Sequence, residues 1–423
     1  MADNLELSKD QQIALDTLLD WWKTPNRKQL ITLGGYAGCG KTTIITVFRK
    51  ILAEENPYIK VAFCAFTGKA ASVMSVKLKK TMTKDILEQD RISTIHSLMY
   101  EPVFEGENII DWKKITYLRG IDLIIIDEAS MVSKKMYEDL KSFKIPMIAV
   151  GDHGQLPPVD STGFNLMEDP EIKLETLHRF AENDGLIKAS MMARIDGYIK
   201  FGNYNDQVFR VTPKDPMVKT FIRERCKNFD DAVILCGFNK TRIDMNRKIR
   251  KTFGYVDDDL MIDDKVVCLK NNPGAHGCQI FNGMIGTVSK KTLYSNCYDV
   301  TIRFPDNDFP YKGVISKTTF CNEKPDMSEF IVYRDLRILR KAKGVGDYYS
   351  INSVIKDINT KIYLDAFDYG YAITVHKSQG SEWGNVVVLE EKAKYWASGD
   401  MWRRWYYTAV TRARDKLLLV GLR

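Results

Sequence analysis

Residues 35–42 read Gly35-Tyr36-Ala37-Gly38-Cys39-Gly40-Lys41-Thr42, which fits the pattern G-x-x-x-x-G-K-[ST]. An apolar run, Leu30 to Leu33, precedes this stretch, and apolar residues with helical spacing follow it from Ile44 to Ile51. Glycines let successive backbone N–H groups turn toward an anion, and the following helix adds the positive end of its dipole. The sequence therefore predicts a phosphate-binding loop between a strand and a helix.

Within this loop, Lys41 is expected to reach the β- and γ-phosphates of a nucleotide, and the Thr42 hydroxyl to bind Mg²⁺. A chance glycine-rich turn is the alternative, but the strand and helix patterns on both sides favour the loop. The predicted nucleotide-binding residues of this region are Gly35, Ala37, Gly38, Cys39, Gly40, Lys41, Thr42 and Thr43.

The length and charge of the chain set broad limits on its class. At 423 residues it is long for a single core and suits two or more domains. Lys and Arg number 62 against 55 Asp and Glu, a formal charge of +7 that is compatible with a polyanionic partner but does not require one.

The cysteines and the N-terminus indicate the compartment. Eight cysteines are scattered without a C-x-x-C pair, and Cys39 lies inside the phosphate loop, so a reducing setting is expected. Cys268, His276 and Cys278 are the one cluster to test for metal, but no fourth ligand has zinc spacing, which favours incidental cysteines. Without a signal pattern or a membrane-length apolar run, we expect a cytoplasmic protein, in the host cytoplasm if viral.

Short apolar runs alternate with helical patterns along most of the chain. A helix is predicted from Lys9 to Trp22, with Ser8 as its N-cap. The predicted buried strands are Leu30–Leu33, Val61–Phe66, Leu123–Ile126, Ile145–Val150, Val233–Cys236, Ala372–Val375, Val386–Leu389 and Leu417–Val420. This alternation predicts α/β architecture with two sheets, each with its site at the carboxyl edge of the strands.

Two segments depart from this pattern. Between Leu98 and Ile115, a polar turn at Glu105–Asn108 separates two strand-like pieces, which predicts a projecting hairpin. From Gly283 to Lys361 the pieces are short and β-rich, which predicts a small β-domain inserted into the second sheet domain.

Paired carboxylates, Asp127 and Glu128, follow the apolar run Leu123–Ile126. One can serve the Mg²⁺ shell while the other orients or deprotonates water, so hydrolysis is favoured over storage of a nucleotide. Two solvated acids at a strand end are the alternative, although the buried run is expected to place them beside Lys41.

A phosphate loop alone does not name a reaction, because kinases, GTPases and motors share it. The other motifs of this chain, taken in order, resemble those of superfamily 1 helicases, and most closely the RecD/Dda branch of superfamily 1B. The matching segments are Leu7–Gln11, Gly35–Thr42, Ala65–Ala71, Ser93–His96, Ile126–Met131, Gly151–Pro158, Leu174–Arg179, Thr374–Glu382 and Tyr406–Arg414.

The resemblance implies two RecA-like P-loop domains, 1A at residues 1–170 and 2A at residues 171–423. Domain 1A would carry a pin hairpin, 1B, at about 97–118, and domain 2A a β-barrel like Src-homology-3 domains, 2B, at about 284–361. The pin would split duplex sterically through Phe104 or Trp112, since its acidic tip repels phosphate. A plain surface hairpin is the alternative.

The resemblance also assigns roles around the nucleotide. Gln11 would bind the adenine edge, Gln155 the γ-phosphate or the attacking water, and Glu382 would lie near the ribose. Arg179 and Arg412 would be arginine fingers, since guanidinium groups suit spreading phosphoryl charge. The implied catalytic residues are Lys41, Asp127, Glu128, Gln155, Arg179 and Arg412, and the implied metal ligands are Thr42 and Asp127.

For DNA, the resemblance places a single strand across both sheet domains, held through its phosphates without base reading. The family often has Pro where this chain has Phe66, whose ring would either stack on a base or belong to the core. The implied DNA contacts are Phe66, Thr67, Lys69, Thr94, His96, Asn239, Thr374 and His376.

The resemblance implies an ATP-dependent DNA helicase that uses Mg²⁺ and moves 5′ to 3′ on single-stranded DNA, as superfamily 1B members do. Its expected partners are single-stranded DNA, a DNA fork and possible replication or recombination proteins; we expect a monomer with no membrane and no attached effector domain. A translocase that needs a partner to unwind, or an RNA helicase, are the alternatives, because backbone contacts do not exclude a 2′-hydroxyl. A P-loop kinase would not explain the second sheet domain.

Overall fold

The fold was obtained as a computed structural model of the whole chain. It describes residues 7–105, 108–158, 163–176, 184–226, 229–255, 258–272, 280–305, 309–345, 358–359, 361–391 and 399–421. Below, residues 7–176 are called the first half and residues 184–421 the second half.

The first half is built around a six-stranded parallel sheet with strand order β3-β2-β6-β7-β1-β8. Its elements are α1 (Lys9–Lys23), β1 (Leu30–Gly35), α2 (Lys41–Glu55), β2 (Val61–Ala65), α3 (Gly68–Thr81), α4 (Lys84–Gln89), β3 (Arg91–Thr94), α5 (Ile95–Met99), β4 (Tyr100–Glu105), β5 (Asn108–Lys114), β6 (Leu123–Asp127), a 3₁₀ turn (Ala129–Met131), α6 (Lys134–Lys141), β7 (Met147–Gly151) and β8 (Ile172–Leu174).

Helix α1 begins where the sequence predicts it. The Ser8 side chain accepts a hydrogen bond from the amide of Gln11, and the Gln11 side chain accepts one from the amide of Ser8, which forms a capping box. The central strands of this sheet are apolar along their length because helices and neighbouring strands bury both faces, as in β2, where all five residues are buried.

The first sheet extends beyond residue 170, where the sequence analysis places the domain boundary. Strand β8 pairs in parallel with β1, with Leu33 opposite Ile172. The amide of Glu171 donates to Oγ1 of Thr32 at 2.8 Å, and the amide of Thr176 donates to Oδ2 of Asp10 at 2.9 Å. Residues up to Thr176 are thus bonded to the first sheet and to the start of α1.

The second half contains a six-stranded sheet with strand order β19-β11-β20-β21-β10-β9. Its elements are α7 (Gly185–Ile195), β9 (Gly202–Tyr204), β10 (Val208–Val211), α8 (Pro216–Arg225), β11 (Ala232–Cys236), α9 (Asn239–Thr252), β12 (Lys265–Cys268), β13 (Ile285–Leu293), β14 (Cys297–Arg303), β15 (Tyr311–Ser316), β16 (Phe330–Val332), α10 (Tyr333–Ala342), β17 (Lys361–Tyr363), β18 (Phe367–Tyr369), β19 (Ala372–Thr374), α11 (Val375–Ser378), β20 (Trp383–Leu389), α12 (Gly399–Val410) and β21 (Ala413–Val420).

This second sheet is mixed, because β9 runs antiparallel to β10 while the other pairs are parallel. The prediction of α/β architecture with two sheets is confirmed. All eight buried strands predicted from apolar runs are present, with ends that coincide with the prediction or differ from it by up to four residues.

Both departures from the α/β pattern have β-structure. Strands β4 and β5 pair antiparallel, with Tyr100 opposite Lys114, where the hairpin is predicted. A five-stranded antiparallel sheet, β15-β14-β13-β12-β18, occupies the other segment. Two of its strands, β12 and the edge strand β18, lie outside the predicted insertion at 284–361, and α10 inside that insertion is a helix that was not predicted. A pin role and a likeness to Src-homology-3 domains stay predictions.

Candidate nucleotide site and nucleic-acid surface

The phosphate loop connects the end of β1 to the start of α2. Gly38 and Gly40 have φ values of 86° and 85°, a left-handed conformation that side chains other than glycine rarely adopt. At Gly35, an added Cβ would lie 2.4 Å from Sγ of Cys39, which is itself fully buried. The glycines are therefore required by backbone conformation and by close packing inside the loop.

Lys41 is held against the carbonyl groups of its own loop. Its Nζ donates to the backbone oxygen of Gly35 at 2.7 Å and to that of Tyr36 at 3.0 Å. To contact a nucleotide, the ammonium group exchanges these carbonyl oxygens for phosphate oxygens, which the flexible stem of lysine permits.

Gln11 ties the start of α1 to the phosphate loop. Its Nε2 donates to the backbone oxygen of Cys39 at 3.2 Å, while its Oε1 accepts from the amide of Ser8. The side chain is buried and borders the cleft described below. Contact with adenine stays a prediction, which the second N–H of Nε2 and the second lone pair of Oε1 would serve.

The acid pair lies at the carboxyl end of β6. The amide of Glu128 donates to Oδ1 of Asp127 at 2.9 Å, and Glu128 adopts a left-handed conformation with φ of 52°. Burial and then the charge of Asp127 raise the pKa of Glu128 to about 7, while Arg412 and Lys41 act in the opposite direction. A carboxyl group with this pKa can take up a proton near neutral pH.

Thr42 and Asp127 line the same cleft. A hydroxyl and a carboxylate are oxygen ligands of the kind that Mg²⁺ prefers, so the two side chains fit this ion. Within the described residues, no group of three or more His, Cys, Asp or Glu side chains could hold a metal. Of the cysteine cluster, Cys268 is buried, whereas His276 and Cys278 lie outside the described residues.

Gln155 follows β7 and is nearly fully buried. Its Nε2 donates to Oδ2 of Asp152 at 3.2 Å. Its Oε1 is buried and has no hydrogen-bond partner in the described part of the chain. A buried acceptor at the edge of a cleft is costly unless it meets a donor, so this oxygen suits a water molecule or another ligand of the cleft.

The second half contributes Arg412, which is 3% exposed. Its Nε donates to the backbone oxygen of Thr408 at 2.9 Å, and a terminal nitrogen donates to that of Ser381 at 3.2 Å. Arg414, which belongs to the same motif, pairs with the carboxylate of Asp231 at 2.7 and 2.8 Å. The backbone thus fixes Arg412 in place, whereas Arg414 is engaged by a surface acid.

One cleft of 1420 Å³ brings most of the predicted nucleotide site together. The predicted residues along it are Gln11, Ala37, Gly38, Gly40, Lys41, Thr42, Thr43, Asp127, Glu128, Gln155, Glu382 and Arg412. Gly35 and Cys39 are buried behind the loop, and Arg179 lies outside the described residues. The cleft also includes Ser381, a residue of the motif Thr374–Glu382 for which no role is predicted.

A second contact that sequence reasoning missed is made by Tyr407, on α12. Its hydroxyl accepts from the amide of Ala37 at 3.0 Å and donates to Oδ2 of Asp152 at 2.8 Å. Ala37 and Tyr407 are 370 positions apart, so no local pattern could have paired them.

The predicted DNA-binding threonines are N-caps of helices at the carboxyl edges of the two sheets. Thr67, Thr94 and Thr374 precede α3, α5 and α11, and each Oγ1 accepts a backbone amide, at 3.1, 3.0 and 3.4 Å respectively. In both sheets the register places such a threonine beside the last residue of the neighbouring strand, with Thr94 opposite Ala65 and Thr374 opposite Cys236.

The remaining DNA candidates differ in exposure. His96 and His376 are half-buried, and burial lowers the pKa of both. Asn239 is exposed, and its Oδ1 accepts from Nε of Arg242 at 3.3 Å. Phe66 is partly buried against the core of the first half, which favours its role in packing. The side chain of Lys69 lies outside what the structure describes.

His96 also contacts the hairpin. Its ring lies 4.6 Å from the ring of Tyr100 in β4 and 4.6 Å from that of Trp112 in β5, measured between centroids. The segment after β3 and the base of the hairpin are thus one packed unit. None of the helices in the described ranges combines the length and the apolar character that crossing a bilayer requires.

Two family models match the chain. Residues 6–209 match an AAA domain, and residues 369–420 match a UvrD-like helicase C-terminal domain. The first match contains the phosphate loop and the acid pair, and the second contains Arg412.

Relatives extend over nearly the whole chain. It is 26% identical to an uncharacterised protein of Acanthamoeba polyphaga mimivirus, over 96% of this chain and 98% of that protein. It is 27% identical to the ATP-dependent RecD2 DNA helicase of Deinococcus radiodurans, over 98% of this chain and 49% of that protein. The chain thus spans about half the length of the RecD2 relative.

Among solved structures, Bacteroides Pif1 bound to single-stranded DNA matches with a TM-score of 0.53 at 16% identity, covering 98% of this chain and 92% of that one. At this identity the likeness shows the fold, which is two RecA-like α/β domains. With the two family matches and the RecD2 relative, it leads to one conclusion. These findings support a superfamily 1B helicase of the RecD/Pif1-like type that hydrolyses ATP.

Proposed function

We propose that this helicase acts on DNA, moves 5′ to 3′ along a single strand and unwinds duplex as it hydrolyses ATP. The observation that carries the proposal is the single cleft in which the phosphate loop and acid pair of the first half meet Arg412 and Glu382 of the second half. A site divided between two sheet domains can convert hydrolysis into relative movement of those domains.

ATP binding would use the loop first. The backbone amides from Gly38 to Thr43 and the start of α2 attract the phosphates, and Lys41 leaves the carbonyl groups of Gly35 and Tyr36 to join them. Thr42 and Asp127 would hold Mg²⁺, which neutralises charge on the phosphate oxygens. Gln11 and Glu382 would bind the adenosine.

Hydrolysis would then use four further groups. Glu128 accepts a proton from the attacking water, a role that its raised pKa suits. The free Oε1 of Gln155 orients that water. Arg412, fixed by the backbone oxygens of Thr408 and Ser381, stabilises the charge that develops on the phosphoryl group. Arg179 is proposed as a second arginine finger from the sequence resemblance alone.

Movement along DNA would come from alternating grip by the two halves. The strand candidates of the first half are Thr67, Lys69, Thr94 and His96, and those of the second half are Asn239, Thr374 and His376. Helix N-termini and hydroxyl groups bind phosphate without reading bases, as movement on any sequence requires. Phe66 would support this surface from the core.

The hairpin of β4 and β5 is proposed as the element that splits the duplex. Trp112 packs against His96, so a strand held after β3 would lie close to the base of the hairpin. Tight packing at this position would transmit force from the strand to the hairpin.

The experiment that tests the proposal is strand displacement with ATP and Mg²⁺ on two duplexes, one with a 5′ single-stranded tail and one with a 3′ tail. We expect unwinding of the 5′-tailed duplex only. Unwinding of the 3′-tailed duplex alone would overturn the direction but keep the helicase. Unwinding of neither, with DNA-stimulated hydrolysis intact, would indicate a translocase that needs a partner.

A second measurement distinguishes DNA from RNA. The ATPase rate is compared at saturating single-stranded DNA and RNA of one sequence. Greater stimulation by DNA is expected, and equal or greater stimulation by RNA would overturn the proposed substrate.

A further inference from the structure

The hydroxyl group of Tyr407 bridges two functional segments of the first half, although Tyr407 itself belongs to the second half. It accepts from the amide of Ala37 in the phosphate loop and donates to Asp152. We propose that Tyr407 is a positioning residue, which sets the orientation of Gln155 relative to the phosphate loop during hydrolysis. The proposal rests on the function above, in which Gln155 orients the attacking water.

Asp152 is the intermediate in this arrangement. Its Oδ2 accepts both the Tyr407 hydroxyl at 2.8 Å and Nε2 of Gln155 at 3.2 Å, and its Oδ1 accepts the amide of Gly154 at 2.9 Å. Asp152 is 1% exposed, so protein groups rather than bulk water satisfy its oxygens. A change at one donor therefore affects how the carboxylate holds the other.

The segment that carries Gln155 is bonded to the second half on both sides of that residue. The amide of Leu156 donates to Oγ1 of Thr408 at 3.0 Å, and its carbonyl accepts from Nε2 of Gln379 at 3.0 Å. Arg404 donates to the backbone oxygen of His153 at 2.7 Å. The Leu156 side chain packs in the hydrophobic core of the second half, with Tyr407 in the same cluster.

These bonds mean that a movement of the second half carries Gln155 with it. The loop proposed to bind the phosphates belongs to the first half. A group that contacts both this loop and the support of Gln155 is therefore needed to keep their relative positions fixed. Among the described residues, the Tyr407 hydroxyl bonds to both the loop and the carboxylate that holds Gln155. The Tyr407 ring also lies edge-on to the Tyr36 ring, with 6.1 Å between the ring centroids. The guanidinium carbon of Arg194 lies 3.6 Å from the centroid of the Tyr36 ring.

The hydroxyl is a reliable donor. Burial and the charge of Asp152 raise the pKa of Tyr407 far above its usual range, so the group stays protonated. Of the predicted nucleotide-binding loop, the amide of Ala37 is bonded to this hydroxyl, whereas the amides from Gly38 to Thr43, proposed to bind the phosphates, make no bond to it in the described structure. Loss of the hydroxyl should therefore slow the hydrolytic step and leave ATP binding nearly unchanged.

The test is Tyr407→Phe, which keeps the ring and removes only the hydroxyl. Tyr406→Phe is the matched control, because Tyr406 is equally buried on the same helix and also donates to a carboxylate, Oε1 of Glu390 at 2.6 Å. For DNA-stimulated ATP hydrolysis, we expect kcat of Tyr407→Phe to fall about tenfold, with KM for ATP within about twofold of wild type. Tyr406→Phe should keep both values.

A double-mutant comparison shows whether Tyr407 acts through Gln155. In a Gln155→Ala background, Tyr407→Phe should lower kcat no further, because the group that it positions is absent. The positioning role would be overturned if the two single-mutant losses in kcat multiplied in the double mutant. It would also be overturned if a rise in KM of Tyr407→Phe accounted for the lost activity.

The outcomes also separate this inference from the proposed function. A wild-type chain without DNA-stimulated hydrolysis of ATP would overturn both. An active wild type with an unaffected Tyr407→Phe variant would overturn only the inference.

Discussion

The backbone amide of Glu128 donates a hydrogen bond to Oδ1 of Asp127 at 2.9 Å, which places two acidic residues side by side at one strand end. Burial and then the charge of Asp127 raise the pKa of Glu128 from 4.5 to about 7. The folded chain thus holds this proton more tightly than the unfolded chain does, so ionisation of Glu128 opposes folding.

The first prediction concerns stability without Mg²⁺. As pH rises from about 4.5 to about 7, the Glu128 contribution to the free energy of unfolding should fall by up to about 3 kcal/mol. Glu128→Gln cannot ionise, so with EDTA it should be more stable than wild type at pH 8 and equal to it at pH 4.5. Urea unfolding at both pH values measures this difference. Glu138→Gln, an exposed residue of α6, is the control, and a pH-independent difference would contradict the prediction.

Glu128→Gln should also separate binding from hydrolysis. The amide keeps the size of the side chain but cannot accept the proton of the attacking water, so kcat should fall by about 10²–10⁴-fold. ATP and DNA affinity should remain close to wild type. Steady-state ATPase assays and equilibrium binding of each ligand test both statements. Normal turnover by this variant would remove Glu128 as the base.

Lys41→Ala should abolish nucleotide-driven activity. Among the described residues, Lys41 Nζ bonds to two loop carbonyls, so its loss removes the proposed phosphate contact and few bonds that support the fold. Lys50→Ala, at an exposed position on the same helix and along the same cleft, is the control and should keep most activity. Calorimetric measurement of ATP affinity distinguishes the two variants. Equal affinity for ATP in Lys41→Ala and wild type would refute the assigned contact.

Arg412 and Arg414 should differ sharply, although they are two positions apart. Arg412→Ala should lower kcat about 10³-fold, as removal of an arginine finger does. Arg414→Ala breaks a surface pair with Asp231 and should change kcat far less. Single-turnover hydrolysis at saturating ATP compares the two directly. Similar losses in both variants would mean that Arg414 also reaches the nucleotide.

DNA affinity should weaken steeply with salt. Each phosphate contact to a single strand contributes a slope of about −0.7 to log affinity against log salt concentration. Fluorescence anisotropy with a labelled oligonucleotide measures that slope. Phe66→Leu, which keeps an apolar side chain in the core, should leave both affinity and slope unchanged. A flat salt response together with weaker binding by Phe66→Leu would indicate base stacking.

Much of the fold was predictable because its signals are local. Buried parallel strands are continuous apolar runs, and the first turn of α1 has a capping box between Ser8 and Gln11. Strand β8 escaped prediction because three residues carry no periodicity, and its place in the first sheet depends on pairing with β1. Helix α10 was not predicted because the sequence on both sides of it, between Gly283 and Lys361, has short strand-like pieces.

The site divides in the same way. Lys41, Asp127, Glu128, Gln155 and Arg412 were assigned from motifs, and the structure places all five on one cleft. The roles of individual groups remain proposals. The bond from Gln11 to the loop carbonyl and the free Oε1 of Gln155 were not predictable, because they depend on the positions of side chains from separate elements.

The phosphate loop and the order of the strands along the chain follow from the sequence, since glycine conformation and apolar runs depend on neighbouring residues, and the family was suggested by the resemblance of motifs along the chain. Which distant groups meet depends on the tertiary fold. Ala37 and Asp152 share the hydroxyl of Tyr407, and Leu156 is buried in the core of the other half. Such contacts form only when two separately folded sheets pack together, and no spacing along the chain encodes them.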